Sequence, residues 1–491
     1  MTGATTILAA TLALRQSAGD AAAQADGGTP PVASWQRMFA PRNPVSPPPD
    51  DPDLMMRQVG PAGTIDLWRM RGRFEESTLT QLLDPKVHGM RWFPKETAEI
   101  MPYLAASNQV GGDCLHQGAL FDGDPVSNAA QAVKNAFAEY GINYAIWQAY
   151  DFSALSHALP GRQRTLNAWG VQVTTRTNIF SSDELTGTNG WLILGANAGI
   201  GLGVDANVQT PQTNIGAQGQ TLGSLYGDSI YLTQCAWQQS FFDGTLLAMG
   251  GMLDPEYVCD LNTYSNNPYN QLLNNEFINQ ATMPWTCQSL AVVVQWQPIE
   301  SFYAIWALAQ NNLPPGGDAF NMLSWDDMTT MFEFGLIDPE FLGMGRGVLR
   351  VLPYGATVDG QGGFGCDFNV EQQLWKDGPL GIFCRAGFGN PDVTIQGGAR
   401  TQVSGGLVLA GQTDEVFMKS DQAYLAGGVY WMQAADPLAL HPQEWGFELT
   451  YVFQLTQTVT LQPDLQFVLN PLYNTSASNA AVFTLQVNCT W

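Results

Sequence analysis

Along the C-terminal part of the chain, hydrophobic and polar positions alternate with a period of two. In 444–455 (EWGFELTYVFQL), Trp445, Phe447, Leu449, Tyr451, Phe453 and Leu455 share one face. The other face holds Glu444, Gly446, Glu448, Thr450, Val452 and Gln454. After a Thr456-Gln457 turn, Val459, Leu461, Pro463, Leu465, Phe467 and Leu469 alternate with Thr458, Thr460, Gln462, Asp464, Gln466 and Val468. The last segment sets Phe483, Leu485, Val487, Cys489 and Trp491 against Thr484, Gln486, Asn488 and Thr490. Successive side chains of a strand point to opposite faces, so each segment predicts a β-strand with one apolar and one hydrophilic side. The strand signal runs from Ile142 to the end, and no exact internal repeat accompanies it.

Upstream the pattern changes. Residues 125–140 (PVSNAAQAVKNAFAEY) predict a helix, with Asp124 as its cap and Pro125 in its first turn. Val133, Phe137 and Tyr140 share a face, and Gly141 stops it. Residues 54–140 read as a partly helical, otherwise irregular periplasmic extension, in which Arg69, Arg71, Arg73, Glu75 and Glu76 face water. Residues 26–53 form a Pro-rich linker without periodicity. Residues 1–25 hold a short apolar run, ILAATLAL at 7–14, and a small-residue cleavage pattern, Ala23-Gln24-Ala25. Nothing basic precedes Arg15, so the stretch reads equally as an export signal and as an Ala-rich leader.

Composition narrows the function. Only 13% of the 491 residues are charged, against roughly 25% in ordinary soluble domains. Lys plus Arg total 20 against 44 Asp plus Glu, a net charge of −24, and no Lys or Arg occurs from Thr177 to Gly345. A nucleic-acid partner is excluded, because phosphate neutralisation needs cations. The 15 Trp, 15 Tyr and 24 Phe exclude an acidic disordered chain. No apolar run reaches the ~18–20 residues that a membrane-crossing helix needs.

Alternation alone does not say which face is wet. A soluble sandwich turns its apolar face inward, whereas an outer-membrane barrel turns it to lipid and lines its lumen with the polar face. Three features favour the barrel. The polar faces are Thr, Gln, Asn, Gly and a few acids, with almost no Lys, unlike a soluble surface of mixed sign. Aromatics recur near strand ends, as an interfacial girdle requires. Trp491, at the chain end, falls on the apolar face. Residues 141–491 number 351 (491 − 140), so sixteen membrane strands with connections take roughly 22 residues apiece. The fold predicted is all-β: a single-chain transmembrane antiparallel β-barrel of about 16 strands over 141–491, behind the N-terminal extension.

Several blocks resemble one known family, the carbohydrate-selective porins of the OprB type. AVKNAFAEYGINYAIWQAYDF (132–152) is similar to the family's opening helix and first strand, and Trp169-Gly170 with GTNGWLILGANAG (187–199) to its early Gly-Trp hairpin. QSFFDGTLLAMGGMLDPEY (239–257) and NNEFINQATMPW (274–285) resemble its central block. GIFCRAGFGNPD (381–392) resembles its Phe-x-Arg…Pro-x-Asp strand and turn, and 444–471 its closing hairpin. Ala248 and Gly251 stand where the family carries an Arg and a Lys, and the first 120 residues and the cysteines lie outside its pattern. The resemblance implies a sixteen-stranded outer-membrane barrel of a diderm bacterium that passes small sugars by diffusion, without cofactor, as a trimer or a monomer.

On this reading the candidate sugar-contacting residues are Arg385, at the family's lumen Arg position, with Arg346 and Arg350 on preceding strands. Glu300, Glu333 and Glu371 are the acids to oppose them, and Trp237 and Trp296 offer stacking faces for sugar C–H groups. Each Arg is read alternatively as a neutraliser of lumen carboxylates that fixes a folded-in loop, and each Trp as a lipid-facing residue. Glu448 and Asp464 face the lumen by parity as wall residues, and Asp254 stabilises a turn. Cys366 and Cys384 are candidates for a disulfide, Cys489 points to lipid, and His88, His116, His157 and His441 sit in loops. No zinc spacing, nucleophile elbow or phosphate loop occurs, so no metal, cofactor or catalytic site is assigned. Two other readings stay open: a structural outer-membrane barrel, plugged by loops or by the N-terminal region, that anchors envelope layers, and a secreted sugar-binding β protein.

Overall fold

In the computed structural model the described residues are 119–121, 125–138, 142–182, 188–202, 210–219, 229–241, 246–266, 270–284, 288–299, 301–312, 319–320, 322–338, 341–375, 379–394, 398–410 and 423–490. The expected export signal, the linker, and most of the extension, with Asp124, His88 and His116, lie outside them. So do Tyr140 and Trp491.

Sixteen strands follow one another around a closed antiparallel barrel. They are β1 (Ile142–Leu155), β2 (Thr165–Ser182), β3 (Thr188–Gly201), β4 (Ser229–Phe241), β5 (Leu246–Leu253), β6 (Ser289–Ile299), β7 (Phe302–Gln310) and β8 (Met328–Asp338). There follow β9 (Gly347–Val358), β10 (Gln361–Gln373), β11 (Leu380–Gly389), β12 (Ala399–Ala410), β13 (Tyr424–Ala434), β14 (Gln443–Gln454), β15 (Val459–Leu469) and β16 (Asn479–Thr490). Pairing of β1 with β16, from Trp147 opposite Thr490 to Leu155 opposite Val482, closes the ring and removes both edges.

The wet face is the inner one. Trp445, Phe447 and Leu449 are 39, 43 and 56% exposed on the outside of β14, while Glu444, Glu448 and Thr450 are buried within. This inversion of a soluble sheet holds around the wall: Trp169, Phe334, Phe368, Leu407 and Phe483 are all exposed. Among the described residues no helix is long and apolar enough to cross a membrane. The strands do so, since each pairs its backbone polar groups with its neighbours.

The longest connections, 202–228, 254–288 and 311–327, leave one end of the barrel, and short ones such as 242–245 and 300–301 leave the other. By the usual asymmetry of outer-membrane barrels the first end is extracellular. At the opposite end, helix α1 (Pro125–Ala138) leads into β1, and Phe137 meets Tyr144 edge to face at 5.8 Å. Its expected apolar face is displaced: Val133 is exposed and the neighbouring Lys134 is buried. Phe121 bridges Thr456 in the β14–β15 turn.

Two further features shape the interior. Ala291–Val294 of β6 and Ala304–Ala309 of β7 are apolar on both sides, because their inner residues (Ala291, Val293, Ile305, Ala307) pack on Val258, Leu261 and Met283 of the β5–β6 connection. Inward tyrosines also lie over glycines of adjacent strands. A Cβ on Gly335 would overlap the Tyr303 ring, one on Gly365 the Tyr354 ring, and one on Gly446 the Tyr430 ring. Lacking a side chain, each glycine lets a flat ring cross the wall and direct its hydroxyl into the lumen.

The expected Cys366–Cys384 disulfide does not form, and both thiols are free. The two residues stand on adjacent strands, but Cys366 faces Phe388 and Cys384 faces Val370. That offset of four residues separates them by roughly 13 Å along the strand.

Candidate functional site

The β5–β6 connection turns into the barrel, and nearly all its described residues are buried. It starts at Asp254, whose carboxylate accepts the Glu256 N–H at 3.0 Å, the turn role expected for it. Burial pushes the Asp254 carboxyl up to about 7. Burial together with the nearby Asp254 and Asp260 raises Glu256 further, against a hydrogen bond from Asn279.

One wall grips the first leg of this loop. Register places Gly335, Arg350, Asn369, Arg385 and Ser404 side by side across β8 to β12. Arg350 donates from Nε to the Tyr303 hydroxyl (2.9 Å), and that hydroxyl donates to Glu333 (2.5 Å). Glu333 in turn accepts the backbone N–H of Asp260 at 2.7 Å. Arg350 also faces Glu371 at 3.4 Å, as does Arg346. Glu371 accepts both the N–H and the hydroxyl of Thr263, at 2.6 and 2.9 Å. Asn369 donates to the Asp260 carboxylate at 2.7 Å.

Arg385 ties both legs together. Its Nη1 donates to the carbonyl oxygens of Ser265 (2.8 Å) and Phe277, and its Nη2 to the carbonyl of Asp260 (2.9 Å) and to Asn266 (3.2 Å). Its Nε lies 3.3 Å from the Asp260 carboxylate. The planar fork of a guanidinium suits such a junction, where an ammonium would not.

The far leg is held by β14 and β15 and by β10 and β12 of the wall already described. Glu448 on β14 accepts the N–H groups of Leu273 (2.5 Å) and Asn274 (3.0 Å). Asn274 then caps helix α2 (Asn275–Ile278) and donates to Gln466 at 3.0 Å. Gln402 donates to the Glu276 carbonyl (2.8 Å) and accepts from the Ala281 N–H, while Thr282 donates to Asp367 (2.6 Å). Four residues nearer the extracellular end, Glu444 accepts the N–H groups of Gln218 (3.0 Å), Gly219 (2.8 Å) and Leu472 (3.0 Å), from two other loops. Carboxylates of the wall thus act as caps for loop backbone amides, the strong class of hydrogen bond.

The expected residues divide accordingly. Arg346, Arg350, Arg385, Glu333 and Glu371 come together in one network on β8 to β11, to which Arg346, expected on a strand, contributes from the connection just before β9, with Arg350 and Arg385 fully buried and turned to the loop. Trp237 and Trp296 do not reach the lumen. Both stand on the outer face, 38 and 49% exposed, because they alternate with inward Gln238 and Gln295. Glu300 lies outside the described residues. Sequence reasoning missed Asp260, Asn369 and Tyr303. The only local signal was an inward Tyr beside an inward Gly on the next strand. A second aromatic group, Trp191 with the Arg176 guanidinium 4.0 Å over its ring, also faces inward on β3 and β2. Among the described residues no three His, Cys, Asp or Glu side chains are grouped to hold a metal ion.

A closed barrel, apolar outside and polar inside, with a loop strapped across its interior, defines a transmembrane porin. The family described as carbohydrate-selective porin, OprB family, matches residues 154–491, and the chain belongs to it. Among solved structures, the high-pH structure of Pseudomonas putida OprB aligns with a TM-score of 0.58 at 15% identity, over 73% of this chain and 96% of that one. The low-pH structure of the same protein aligns at 0.44 and 15%, over 75 and 97%. A triple mutant of Rhodopseudomonas blastica porin aligns at 0.46 and 9% identity, over 71 and 100%. At such identity the likeness concerns the fold. No curated protein matches the chain.

Proposed function

We propose that the chain is a passive pore of a diderm bacterium's outer membrane, through which small neutral sugars diffuse past the inward-folded loop. The single observation that carries this reading is the character of that loop. It is fixed to the wall through backbone amides, and among its described residues the polar ones left partly exposed are Glu256, Asn270, Gln271 and Asn275. Amides and carboxylates exchange hydrogen bonds with sugar hydroxyls as readily as water does, so a hydrated polyol sheds its shell at little cost. Arg350, Arg385, Glu333 and Glu371 act in this account by positioning the loop, and Arg346, partly exposed at its margin, is the arginine within reach of a permeant.

The same lumen disfavours anions. Asp151, Asp367, Glu444, Glu448 and Asp464 face the interior on strands that carry no Lys or Arg. An interior in which carboxylates outnumber guanidinium groups concentrates cations, so small cations accompany the sugars. Planar-bilayer recording tests the proposal: discrete current steps with a cation-selective reversal potential, reduced by added mono- or disaccharide, are expected. A barrel that inserts and carries no current overturns it and leaves the plugged, structural alternative.

A further inference from the structure

A second connection folds inward, at the extracellular mouth. In residues 210–219, between β3 and β4, Pro211, Asn214, Ile215 and Ala217 are buried. The local shape is preset. Thr210 caps a short helix, Pro211–Ile215, with Pro in its first turn, and Gly216 ends it at a φ of 74°. Three other connections grip this segment. Asn214 donates to the Gln163 carbonyl (3.0 Å) of the β1–β2 turn, and the Leu159 N–H donates to the Asn214 carbonyl (2.7 Å). Asn474, between β15 and β16, donates to the Ile215 carbonyl (2.8 Å), and the Tyr473 N–H to the Gly216 carbonyl (2.8 Å). Gln218 accepts the Tyr473 hydroxyl at 3.1 Å, and a Cβ on Gly398, between β11 and β12, would overlap its side chain.

The wall beneath matches it. Further into the barrel the inner faces are polar, with Asp464 and Gln466 on β15 and Thr484 and Gln486 on β16. At the extracellular ends the same faces turn apolar. There Leu155 of β1, Val468 of β15 and Ala480 and Val482 of β16 form one cluster with Ile215 and Ala217. Bare apolar groups lining the mouth of a water-filled pore are unfavourably hydrated, and residues 210–219 cover them. Among the described residues of the segment, the polar side chains left exposed or partly exposed are Thr210, Gln212, Thr213 and Gln218. A solute arriving from outside therefore meets hydroxyls and amides.

One junction serves both inward segments. Glu444, which accepts the Gln218 and Gly219 N–H groups, also accepts the Tyr430 hydroxyl at 2.9 Å. A Cβ on Gly219 would overlap that hydroxyl. The Tyr430 ring in turn meets Phe277, in helix α2 of the 254–288 loop, with centroids 5.8 Å apart. We propose that residues 210–219 are a lid over the mouth above β14, β15, β16 and β1, a size filter in series with the 254–288 loop, and that Glu444, Tyr430 and Asn474 are its positioning residues. The proposal rests on the pore reading given above. A sugar is sieved first at the lid and again at the loop.

The test is polymer exclusion. Single channels of the full chain are recorded with polyethylene glycols of graded mass added to one side of the bilayer at a time. A polymer that enters from that side lowers the current and an excluded one does not, so each side yields its own cut-off. In Glu444→Ala and in Asn474→Ala the extracellular cut-off is expected to rise by at least one polymer step while the periplasmic cut-off stays unchanged. Tyr430→Phe keeps the ring against Phe277 and removes only the hydroxyl. It is expected to give a smaller shift of the same kind, and it carries the test if Glu444→Ala does not fold. Extracellular cut-offs that stay at the wild-type value in these variants, while Arg385→Met still raises the current, overturn the lid and leave the pore standing. Cut-offs that rise alike on both sides report a general loosening of the barrel and overturn it as well. Absence of current from every folded, inserted variant removes the pore reading, and the lid with it.

Discussion

The guanidinium of Arg385 engages Asp260 twice: Nη2 donates to its carbonyl oxygen at 2.9 Å, and Nε lies 3.3 Å from its carboxylate. Wall and loop meet at this pair inside the barrel. Removing one partner of a buried ion pair leaves the other charge uncompensated, at a cost of about 3–5 kcal/mol. Arg385→Met is therefore expected to loosen the loop while the barrel, held by its sixteen-strand closure, stays folded. Single-channel records should show larger mean current and more open-channel noise. Arg385→Lys restores the charge without the fork, and should recover the mean current only in part.

Glu448 holds the far leg of the loop. Its two N–H acceptor contacts, to Leu273 and Asn274, are hydrogen bonds worth roughly 0.5–1.5 kcal/mol each. Glu448→Ala is expected to raise amide exchange at 272–276, measured by mass spectrometry in detergent, and to leave exchange in β14 and β15 unchanged. Equal acceleration in the strands contradicts the assignment.

The tyrosine-over-glycine contact is tested by Gly335→Ala. The added methyl overlaps the Tyr303 ring, whose hydroxyl links Arg350 to Glu333. Overpacking of this kind costs about 1–3 kcal/mol. Gly250→Ala, where a Cβ meets nothing within 4 Å, is the control. A denaturant midpoint lowered in the first and unchanged in the second is expected.

Acidity acts at the root of the loop. The folded loop favours protonated Asp254, because burial holds its carboxyl at about 7. This contribution is fully present below the ordinary carboxylate range, about 4, and is lost as pH rises through about 7. Glu256 moves in the same direction. The loop is therefore expected to be more mobile at mildly alkaline than at mildly acidic pH, read as open-channel noise or as proteolysis after Tyr257. Asp254→Asn should flatten the lower part of that profile.

The sequence made the wall legible and left the loop hidden, for physical reasons. Parity along 444–469 gives the outward side of Trp445 and Phe447 and the inward side of Glu448 and Asp464, since a pleated strand has no other choice. The same parity, applied to Trp237 beside Gln238 and Trp296 beside Gln295, already directs both indoles outward. On β6 and β7 the signal fails: AVVV and FYAIWALA are apolar throughout, because lipid covers one side and the loop the other. Arg346, Arg350, Arg385, Glu333 and Glu371 were recognisable as a charged group on neighbouring strands. Their partners were not. Thr263 meets Glu371 across 108 residues and Leu273 meets Glu448 across 175, and no local period encodes such distances.

Liposome swelling tests the central claim most directly. Vesicles carrying the full-length protein, placed in isosmotic solutions of neutral sugars, are expected to swell, fastest with a monosaccharide and progressively slower with di- and trisaccharides. Arg385→Met should narrow that spread by admitting the larger ones. Swelling no faster than protein-free vesicles with every sugar, from protein shown to be folded and inserted, would contradict the account.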